Sequence, residues 1–367
     1  MLGCNFGCGL ALKHEVHLLR FHLVAWCVQP SSPDNAGDCW RNAYTTYLAT
    51  VEGVMISIVG SGKIGANVAV HLAMKGYDDL TLVDVVKGLP QGEAMDITHM
   101  LSAYGAETRV VGSNDYGALK GSKLVIVAAG FGRKPGQTRL DLMNSNAGII
   151  KDVSEQVKRN APDAVLLMVT NPLDVMTYVA YRVTGFDRHR VLGMSGTLDG
   201  SRLRHFVAEG LGVARSSVTP MIIGEHGDSM VPIPEYTTVG GVPASRLFSP
   251  DKFEGVVKNT REVAAEVIAR KGATIHGPAA AVTVLVDAIV NDKKAVFNAS
   301  TYLNGEYGFS GIVMDVPMVI GKGGVERILE IALTDLERSA LNTSYSTLKE
   351  AISKLQIELP PLPDSNR

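Results

Sequence analysis

The sequence has 367 residues, of which 46% are hydrophobic and 20% are charged, and its formal net charge is -2. These values are ordinary for a globular protein of about two domains, and they give no reason to expect nucleic acid or another polyanion as a partner. All four cysteines lie within residues 4–39, which excludes a disulfide framework or a zinc site in the rest of the chain. We therefore expect no metal.

Residues 1–53 differ in pattern from the rest of the chain. Positions 17–29 weakly resemble the apolar core of a signal peptide, but Arg20 and His22 interrupt it and no clear cleavage site follows. We interpret the segment as an extension that is disordered or foreign to the folded part. The body of the chain holds no apolar run long enough for a transmembrane helix, so we expect no contact with a membrane.

From Val54 onward, short apolar strands alternate with amphipathic helices. Such alternation predicts crossover units, and hence a parallel sheet with helices on both faces, the doubly wound α/β (Rossmann) fold. The predicted strands are 54–59, 80–84, 108–111, 124–129, 164–169 and 191–193. The predicted helices are 64–75, 89–101, 142–159 and 175–184.

Beyond Ser195 the pattern changes to long helices and a few strands, which predicts a second domain of the α+β class. The predicted helices are 199–211, 254–272 continuing through 277–290, and 325–355; the strands are 295–303 and 311–320. The sequence thus divides into an extension (1–53), a nucleotide-binding domain (54–197), a second domain (198–357) and a frayed tail (358–367).

A glycine-rich string, Gly60-Ser61-Gly62-Lys63-Ile64-Gly65, follows the first strand and opens the first helix. In that context the glycines permit a tight turn, close approach of a pyrophosphate and close packing of helix on strand. Asp84 ends the next strand, where a carboxylate binds ribose hydroxyls and repels a 2′-phosphate. Together they predict NAD rather than NADP. The alternatives are a turn without a ligand and an exposed acid at a strand end.

Two loops carry polar groups at the carboxyl ends of strands, where ligands bind in such sheets. Residues 131–139 lack an apolar period and contain Arg133 and Arg139, which suit a lid over a carboxylate substrate as well as a solvated charge cluster. Thr170-Asn171-Pro172 follows the fifth strand and is also a common turn signal.

Two further strings in the second domain suit acid–base chemistry. Asp199 and Arg202 are three residues apart on a predicted helix and so share a face, either as a surface ion pair or within a site. His226 lies in Gly224-Glu225-His226-Gly227-Asp228 after an apolar strand, where an imidazole can titrate near neutral pH. A lone loop histidine is the alternative.

In their order along the chain, these strings resemble the lactate/malate dehydrogenase family, and especially its malate dehydrogenases with lactate-dehydrogenase-like architecture. The resemblance runs from about Met55 to Leu355 through GSGKIG, Asp84, RKPGQTR, VTNPLD, GTLDGSRLR and IGEHGD. It implies an NAD-dependent enzyme that moves a hydride to and from a 2-hydroxy acid. It also implies a cytoplasmic homo-oligomer, a tetramer in preference to a dimer, with residues 91–101 resembling a helix at a subunit contact.

The resemblance assigns the catalytic roles to matching positions. His226 is similar to the histidine that takes the hydroxyl proton, Asp199 to its carboxylate partner, and Arg202 to the arginine that binds the C1 carboxylate. Arg139 resembles the arginine that polarises the carbonyl, and Asn171 resembles a residue that binds substrate oxygen. The positions that resemble contacts to NAD are the glycine string, Asp84, Asn146, Val169, Thr170 and Asn171.

Arg133 decides the substrate in this interpretation. In the family, arginine at this loop position accompanies malate, and glutamine accompanies lactate. The positive charge of Arg133 is consistent with malate, because a second carboxylate that enters a closed site needs a counter-charge. We therefore predict oxaloacetate and malate as substrates. The alternatives are a lactate dehydrogenase and a non-catalytic NAD-binding sensor or scaffold.

Overall fold

The computed structural model of the chain describes residues 54–77, 79–132 and 138–362. The predicted extension, Arg133 and the last residues of the predicted tail lie outside these ranges. Within them, six short strands form a parallel sheet in the order β3-β2-β1-β4-β5-β6, the doubly wound arrangement that the sequence predicts. They are β1 (Met55–Val59), β2 (Asp79–Val83), β3 (Arg109–Ser113), β4 (Leu124–Val127), β5 (Val165–Met168) and β6 (Val191–Gly193).

Four helices connect these strands: α1 (Lys63–Met74), α2 (Leu89–Tyr104), α3 (Arg139–Asn160) and α4 (Leu173–Thr184). Since right-handed crossovers run outward from β1 in both directions, α1 and α2 cover one face and α3 and α4 the other. The central strands are therefore buried on both sides, and all four residues of β4 are buried. This burial explains why the strands are continuous apolar runs rather than alternating ones.

The second half of the chain extends the same sheet with antiparallel strands. β12 (Ala295–Asn304) pairs with β6 at Ser300 and Gly193, and β13 (Ser310–Gly321) and β14 (Gly324–Ile328) follow outward. The sheet thus crosses the predicted boundary near residue 197 without a gap, and the division into two domains stays a prediction. The short strands β7 (Val218–Thr219), β8 (Ile222–Ile223), β9 (Val231–Pro232), β10 (Thr238–Val239) and β11 (Val242–Pro243) form two small sheets.

The remaining helices are α5 (Ser195–Leu211), α6 (Ala244–Leu247), α7 (Pro250–Lys271), α8 (His276–Val290) and α9 (Asp335–Ser353). Three predictions were wrong in detail. Helix α3 begins at Arg139, because Thr138 and Asp141 form a capping box. The expected continuous helix over 254–290 is two helices, because Gly272 ends α7 in a left-handed conformation. Residues 325–328, expected to begin the last helix, belong to strand β14.

Among the residues that the structure describes, no helix combines the length and apolar character needed to cross a bilayer. No group of three or more His, Cys, Asp or Glu side chains in the same part of the chain could hold a metal ion.

Candidate active site

The glycine string forms a tight turn between β1 and α1. Gly60 has φ +98°, and a Cβ on it would overlap the backbone of Ala128 and Ala129 on the adjacent chain segment. A Cβ on Gly65 would overlap the carbonyl of Gly60, so only glycine lets α1 approach the strand this closely. Both positions require glycine for the reasons that the sequence predicts.

Asp84, which directly follows β2, stabilises this turn. Its Oδ2 accepts a hydrogen bond from the Ser61 N–H at 2.7 Å, and its Oδ1 accepts one from the Val86 N–H at 2.9 Å. A carboxylate has about four acceptor positions, so capacity is left for ribose hydroxyls. The side chain that the sequence assigns to nucleotide binding therefore also stabilises the phosphate-side turn.

The front of the turn has the features of an anion site. No atom lies within 4 Å of the place where a Cβ on Gly62 would stand, so the space beside this residue is open. Helix α1 has no side-chain cap and no acidic residue in its first turn, which leaves its N–H groups and positive dipole end for a ligand. The Ser61 hydroxyl is buried and has no hydrogen-bond partner. Such an orphaned group, beside an open helix N-terminus, fits a bound pyrophosphate.

A second constellation joins α5 to the loop after β8. Asp199 is 1% exposed, and its two carboxylate oxygens have different partners. Oδ1 accepts from Nη1 of Arg202 at 2.9 Å, and Oδ2 lies 2.6 Å from Nδ1 of His226. The i,i+3 spacing on one helix face and the glycine-flanked loop thus meet, as the sequence predicts. Since Nδ1 is bound to Asp199, a proton exchanged with a substrate passes through Nε2.

The electrostatics of this constellation favour a protonated imidazole. Burial by itself would lower the pKa of His226, but the charge and the hydrogen bond of Asp199 outweigh burial. The charge of Asp174 adds to this effect, and Arg202 opposes it. The pKa of His226 is therefore raised, which suits a group that must accept a proton and hold it near neutral pH.

The main chain of His226 is fixed as well as its ring. Its N–H donates to Oδ2 of Asp174 at 2.7 Å, and Asp174 lies in the first turn of α4, 3% exposed. Sequence reasoning did not select Asp174. One signal was available, because this acid stands among the apolar residues Leu173, Val175 and Met176 of a helix that is buried on nearly all sides.

A pocket of about 310 Å³ lies beside Arg202, between α5, α7 and the start of α8. It is lined by apolar side chains such as Leu198 and Pro278 together with Arg202, Thr274 and His276. The Nδ1 atom of His276 lies 3.3 Å from Oδ1 of Asn67 in α1, the helix that begins at the glycine turn. The pocket therefore adjoins the nucleotide-binding side of the molecule, and Arg202 is a cation available to a carboxylate in it.

Of the other predicted residues, Val169, Thr170 and Asn171 follow β5, and Asn146 lies in α3. Asn146 is fully buried, and its amide bonds the backbone of Phe131 and donates to the Asn171 carbonyl at 2.7 Å. Thr170 donates to the Ala129 carbonyl at 2.7 Å, and the N–H of Val169 donates to the Val127 carbonyl. These hydrogen bonds hold together the segments that follow β4 and β5. Contacts of these side chains with NAD stay predictions.

Arg139 is the first residue of α3. Its Nη1 lies 2.8 Å from Oδ2 of Asp228, two residues after His226, and both side chains are about three-quarters exposed. This ion pair brings the end of the predicted lid, residues 131–139, next to the loop of residues 224–228 that contains His226. Arg133, the residue that the sequence links to substrate choice, is outside the described residues.

Comparison with known proteins agrees with this geometry. Residues 54–193 match the profile of the lactate/malate dehydrogenase NAD-binding domain, and residues 196–358 match that of the lactate/malate dehydrogenase α/β C-terminal domain. The chain belongs to the lactate/malate dehydrogenase family. As a member of it, the chain is an NAD-dependent oxidoreductase, and the open Gly62 cradle, the orphaned Ser61 hydroxyl and Asp84 fit that cofactor.

Individual members of the family are similar over nearly their whole length. The malate dehydrogenase of Aeropyrum pernix is 44% identical over 308 residues, which is 84% of this chain and 99% of the relative. The solved structure of the Aeropyrum pernix enzyme has a TM-score of 0.81 and 43% identity, covering 84% of this chain and all of that one. A Cryptosporidium parvum lactate dehydrogenase, solved with lactic acid and nicotinamide adenine dinucleotide, has a TM-score of 0.80 and 39% identity, covering 83% and 98%.

Proposed function

We propose that this family member is a malate dehydrogenase, which oxidises (S)-malate reversibly to oxaloacetate with NAD. The observation that carries the proposal is the Asp199 carboxylate shared between Arg202 and His226. It joins a cation that lines the pocket, Arg202, to a proton acceptor of raised pKa, His226, through one shared carboxylate. A 2-hydroxy acid offers both groups that this arrangement needs, a carboxylate and an adjacent hydroxyl.

The residues divide the chemistry as follows. Nε2 of His226 accepts the hydroxyl proton, and Asp199 stabilises the imidazolium that forms and keeps Nδ1 protonated. Arg202 binds the C1 carboxylate, and its fork geometry suits a bidentate pair. Arg139 leaves Asp228 to bind the oxygen on which negative charge develops, and Asn171 donates to the same oxygen. NAD, when bound, supplies the hydride acceptor.

The cofactor site in this proposal consists of the residues around the glycine turn, the end of β5 and Asn146 of α3. The N–H groups of Gly62, Lys63, Ile64 and Gly65 and the Ser61 hydroxyl face the pyrophosphate, Gly60 forms the turn behind them, and Asp84 accepts from the ribose. Asn146, Val169, Thr170 and Asn171 line the nicotinamide side. The tight turn, the open space at Gly62 and the Asp84–Ser61 hydrogen bond support this assignment.

The choice of malate over lactate rests on Arg133 and on the relatives. Oxaloacetate carries a second carboxylate that a closed site must neutralise, because a buried unpaired charge is very costly. Arg133 supplies that charge in the predicted lid. The curated relatives with 41–44% identity are malate dehydrogenases, which supports the same choice.

The test is steady-state kinetics with oxaloacetate and pyruvate, each with NADH and with NADPH. We expect oxaloacetate with NADH to give the highest kcat/KM. The substitution Arg133→Gln should lower kcat/KM for oxaloacetate by about 10²-fold or more, since removing one partner of a buried ion pair costs about 3–5 kcal/mol. Lys134→Gln removes the same charge from the adjacent position and is the control. Faster turnover of pyruvate by the wild-type protein would refute the proposal in favour of a lactate dehydrogenase.

We also propose a homotetramer, located in the cytoplasm, on the strength of the resemblance. Residues 91–101 lie within α2, where Met95 is 59% exposed, as expected of a helix that another subunit covers. Sedimentation velocity on the full chain tests the assembly, and a species of monomer mass at micromolar concentration would contradict it.

A further inference from the structure

The segment that follows β2, residues 84–88, is held in place by hydrogen bonds rather than by packing. We call it the ribose loop, because Asp84, its first residue, is the proposed acceptor for ribose hydroxyls. The side chains from Val85 to Gly88 are all exposed, with Val85 75% and Val86 56% exposed. A segment that buries so little apolar surface opens easily unless polar contacts hold it. The shape of the ribose loop therefore depends on its hydrogen-bond partners.

One side chain outside the ribose loop contacts it at three places. Asn114 directly follows β3, and its Nδ2 donates to the carbonyl of Asp84 at 2.7 Å and to that of Val86 at 2.9 Å. Its Oδ1 accepts from the N–H of Gly88 at 3.2 Å and from Nε2 of Gln91 at 3.0 Å. A carboxamide has two N–H hydrogens and two acceptor lone pairs, so every hydrogen-bonding position of Asn114 is in use.

The partners of Asn114 determine which kind of side chain can take its place. The carbonyls of Asp84 and Val86 can only accept, and the N–H of Gly88 can only donate. A side chain between them must therefore offer donors on one side and an acceptor on the other, which also fixes the orientation of the amide. A carboxylate of the same size would place an oxygen against two carbonyls. An apolar side chain would leave all three groups to water.

The hydrogen bonds of Asn114 continue through Asp84 to the glycine turn. The main chain of Asp84 is held on both sides, since its N–H donates to the Ser113 carbonyl at 3.3 Å and its carbonyl accepts from Asn114. From this fixed backbone, the Asp84 carboxylate accepts the N–H of Ser61 at 2.7 Å and that of Val86 at 2.9 Å. The segments that follow β1, β2 and β3 are thus joined by one series of hydrogen bonds.

From this geometry we infer that Asn114 is a positioning residue for Asp84 and holds the ribose loop in the shape that binds the adenosine half of NAD. Asn114 acts through the main chain of Asp84 and needs no contact with the dinucleotide. The inference rests on the proposed placement of the ribose at Asp84. Loss of Asn114 would let this carboxylate move away from the ribose hydroxyls, so the effect falls on binding of the dinucleotide and not on hydride transfer.

Calorimetric titration with ADP-ribose tests this effect without any turnover, because ADP-ribose contains the adenosine and the diphosphate of NAD but no nicotinamide. Asn114→Ala should weaken its binding by about tenfold, the effect of about one net hydrogen bond. Asn160→Ala is the control, since it removes an amide that bonds Gln156 within α3, and it should bind ADP-ribose as the wild type does. An unchanged affinity in Asn114→Ala would overturn the inference.

The side chain of Asn114 is exposed, so its truncation opens no cavity and the variant should fold. If Asn114→Ala does not fold, Asn114→Asp serves instead. It keeps the size and the acceptor for Gly88 but has no donor for the two carbonyls. It should weaken ADP-ribose binding by at least as much, and an unchanged affinity would again overturn the inference.

A double-mutant cycle shows whether Asn114 acts through Asp84. Asn114→Ala should weaken ADP-ribose binding by less than about twofold when Asp84→Ala is already present, because the carboxylate that it positions is gone. Equal losses with and without Asp84→Ala would overturn the positioning role.

Hydrogen exchange in the protein without ligand tests the ribose loop by itself. The amides of Val86 and Gly88 should exchange faster in Asn114→Ala than in the wild type, by about tenfold. Unchanged exchange would overturn the inference. If Asp84→Ala alone bound ADP-ribose as tightly as the wild type, the proposed ribose site would be wrong, whereas the exchange rates would still decide whether Asn114 holds the loop.

Discussion

The carboxylate of Asp199 is the group whose removal tests the proposed chemistry most directly. In Asp199→Asn, the side chain keeps its size but loses the charge that lies 2.6 Å from Nδ1 of His226 and 2.9 Å from Arg202. The two influences that lower the pKa of His226, burial and the charge of Arg202, remain in place. We therefore expect the pKa of His226 to fall.

The size of the expected loss of activity follows from the burial of Asp199 and His226. Asp199 is 1% and His226 11% exposed at the side chain, so solvent screens their interaction only weakly. Removing one partner of such a pair costs about 3–5 kcal/mol. If this free energy is added to the activation barrier, kcat/KM for oxaloacetate reduction at pH 8 decreases by about 10²- to 10⁴-fold.

The pH dependence distinguishes lost proton transfer from general damage. Reduction needs the imidazolium as proton donor, so kcat/KM declines as the pH rises through the pKa of His226. In Asp199→Asn that decline should begin at lower pH, and the deficit against wild type should grow from pH 5 to pH 8. The assay is NADH absorbance across this range. A midpoint that is unmoved or moves upward would refute the reasoning.

A matched pair on the surface provides the control. Asp187 contacts Nδ1 of His189 at the same 2.6 Å, but the two side chains are 38% and 44% exposed. Asp187→Asn therefore removes an equivalent contact far from the constellation, and its pH profile should coincide with that of the wild type.

Three further outcomes follow from contacts in the structure. Arg202→Lys should lower kcat/KM for oxaloacetate by about 10²-fold or more at unchanged Tm, because an ammonium cannot reproduce a bidentate guanidinium pair. Gly62→Ala should weaken NADH binding in a fluorescence titration without lowering Tm, whereas Gly65→Ala should lower Tm, since its Cβ would overlap the Gly60 carbonyl. Asp287 has a pKa lowered to about 2 because the hydrogen bonds from Lys293, Tyr77 and Lys75 outweigh its burial. Its stabilising effect is present above pH 4 and is lost towards pH 2, so thermal unfolding of Asp287→Asn should differ from wild type at pH 7 and converge with it in acid. Equal Tm differences at both pH values would contradict this.

Much of the fold could be predicted because its signals are local. Buried parallel strands are continuous apolar runs, and the glycine turn combines a strand end, a helix start and a spacing that are all visible in the sequence. Strand β14 was missed because Val-Glu-Arg-Ile suits a helix equally well. The pair Lys322-Gly323, which turns the chain between β13 and β14, was the available signal for a hairpin.

The contacts behind the histidine could not be predicted in the same way. Asp174 and His226 are 52 residues apart, and Asp174 and Ser300 are 126 apart. No periodicity encodes such pairings, because they arise only where α4, α5, β12 and β13 meet. The groups proposed to take part in the reaction were visible as motifs, whereas the buried groups that contact them were not.

The bond between Asp84 and Ser61 affects how the coenzyme preference of this protein could be redesigned. Exchanging the acid for a small neutral or basic residue is the obvious way to admit a phosphorylated ribose. Here that exchange would also withdraw the acceptor that holds the Ser61 amide at 2.7 Å. A successful design must therefore supply a substitute acceptor, such as an asparagine or serine oxygen, before it adds positive charge. In the proposed cofactor site, one side chain would both accept from the ribose and hold the backbone of the glycine turn.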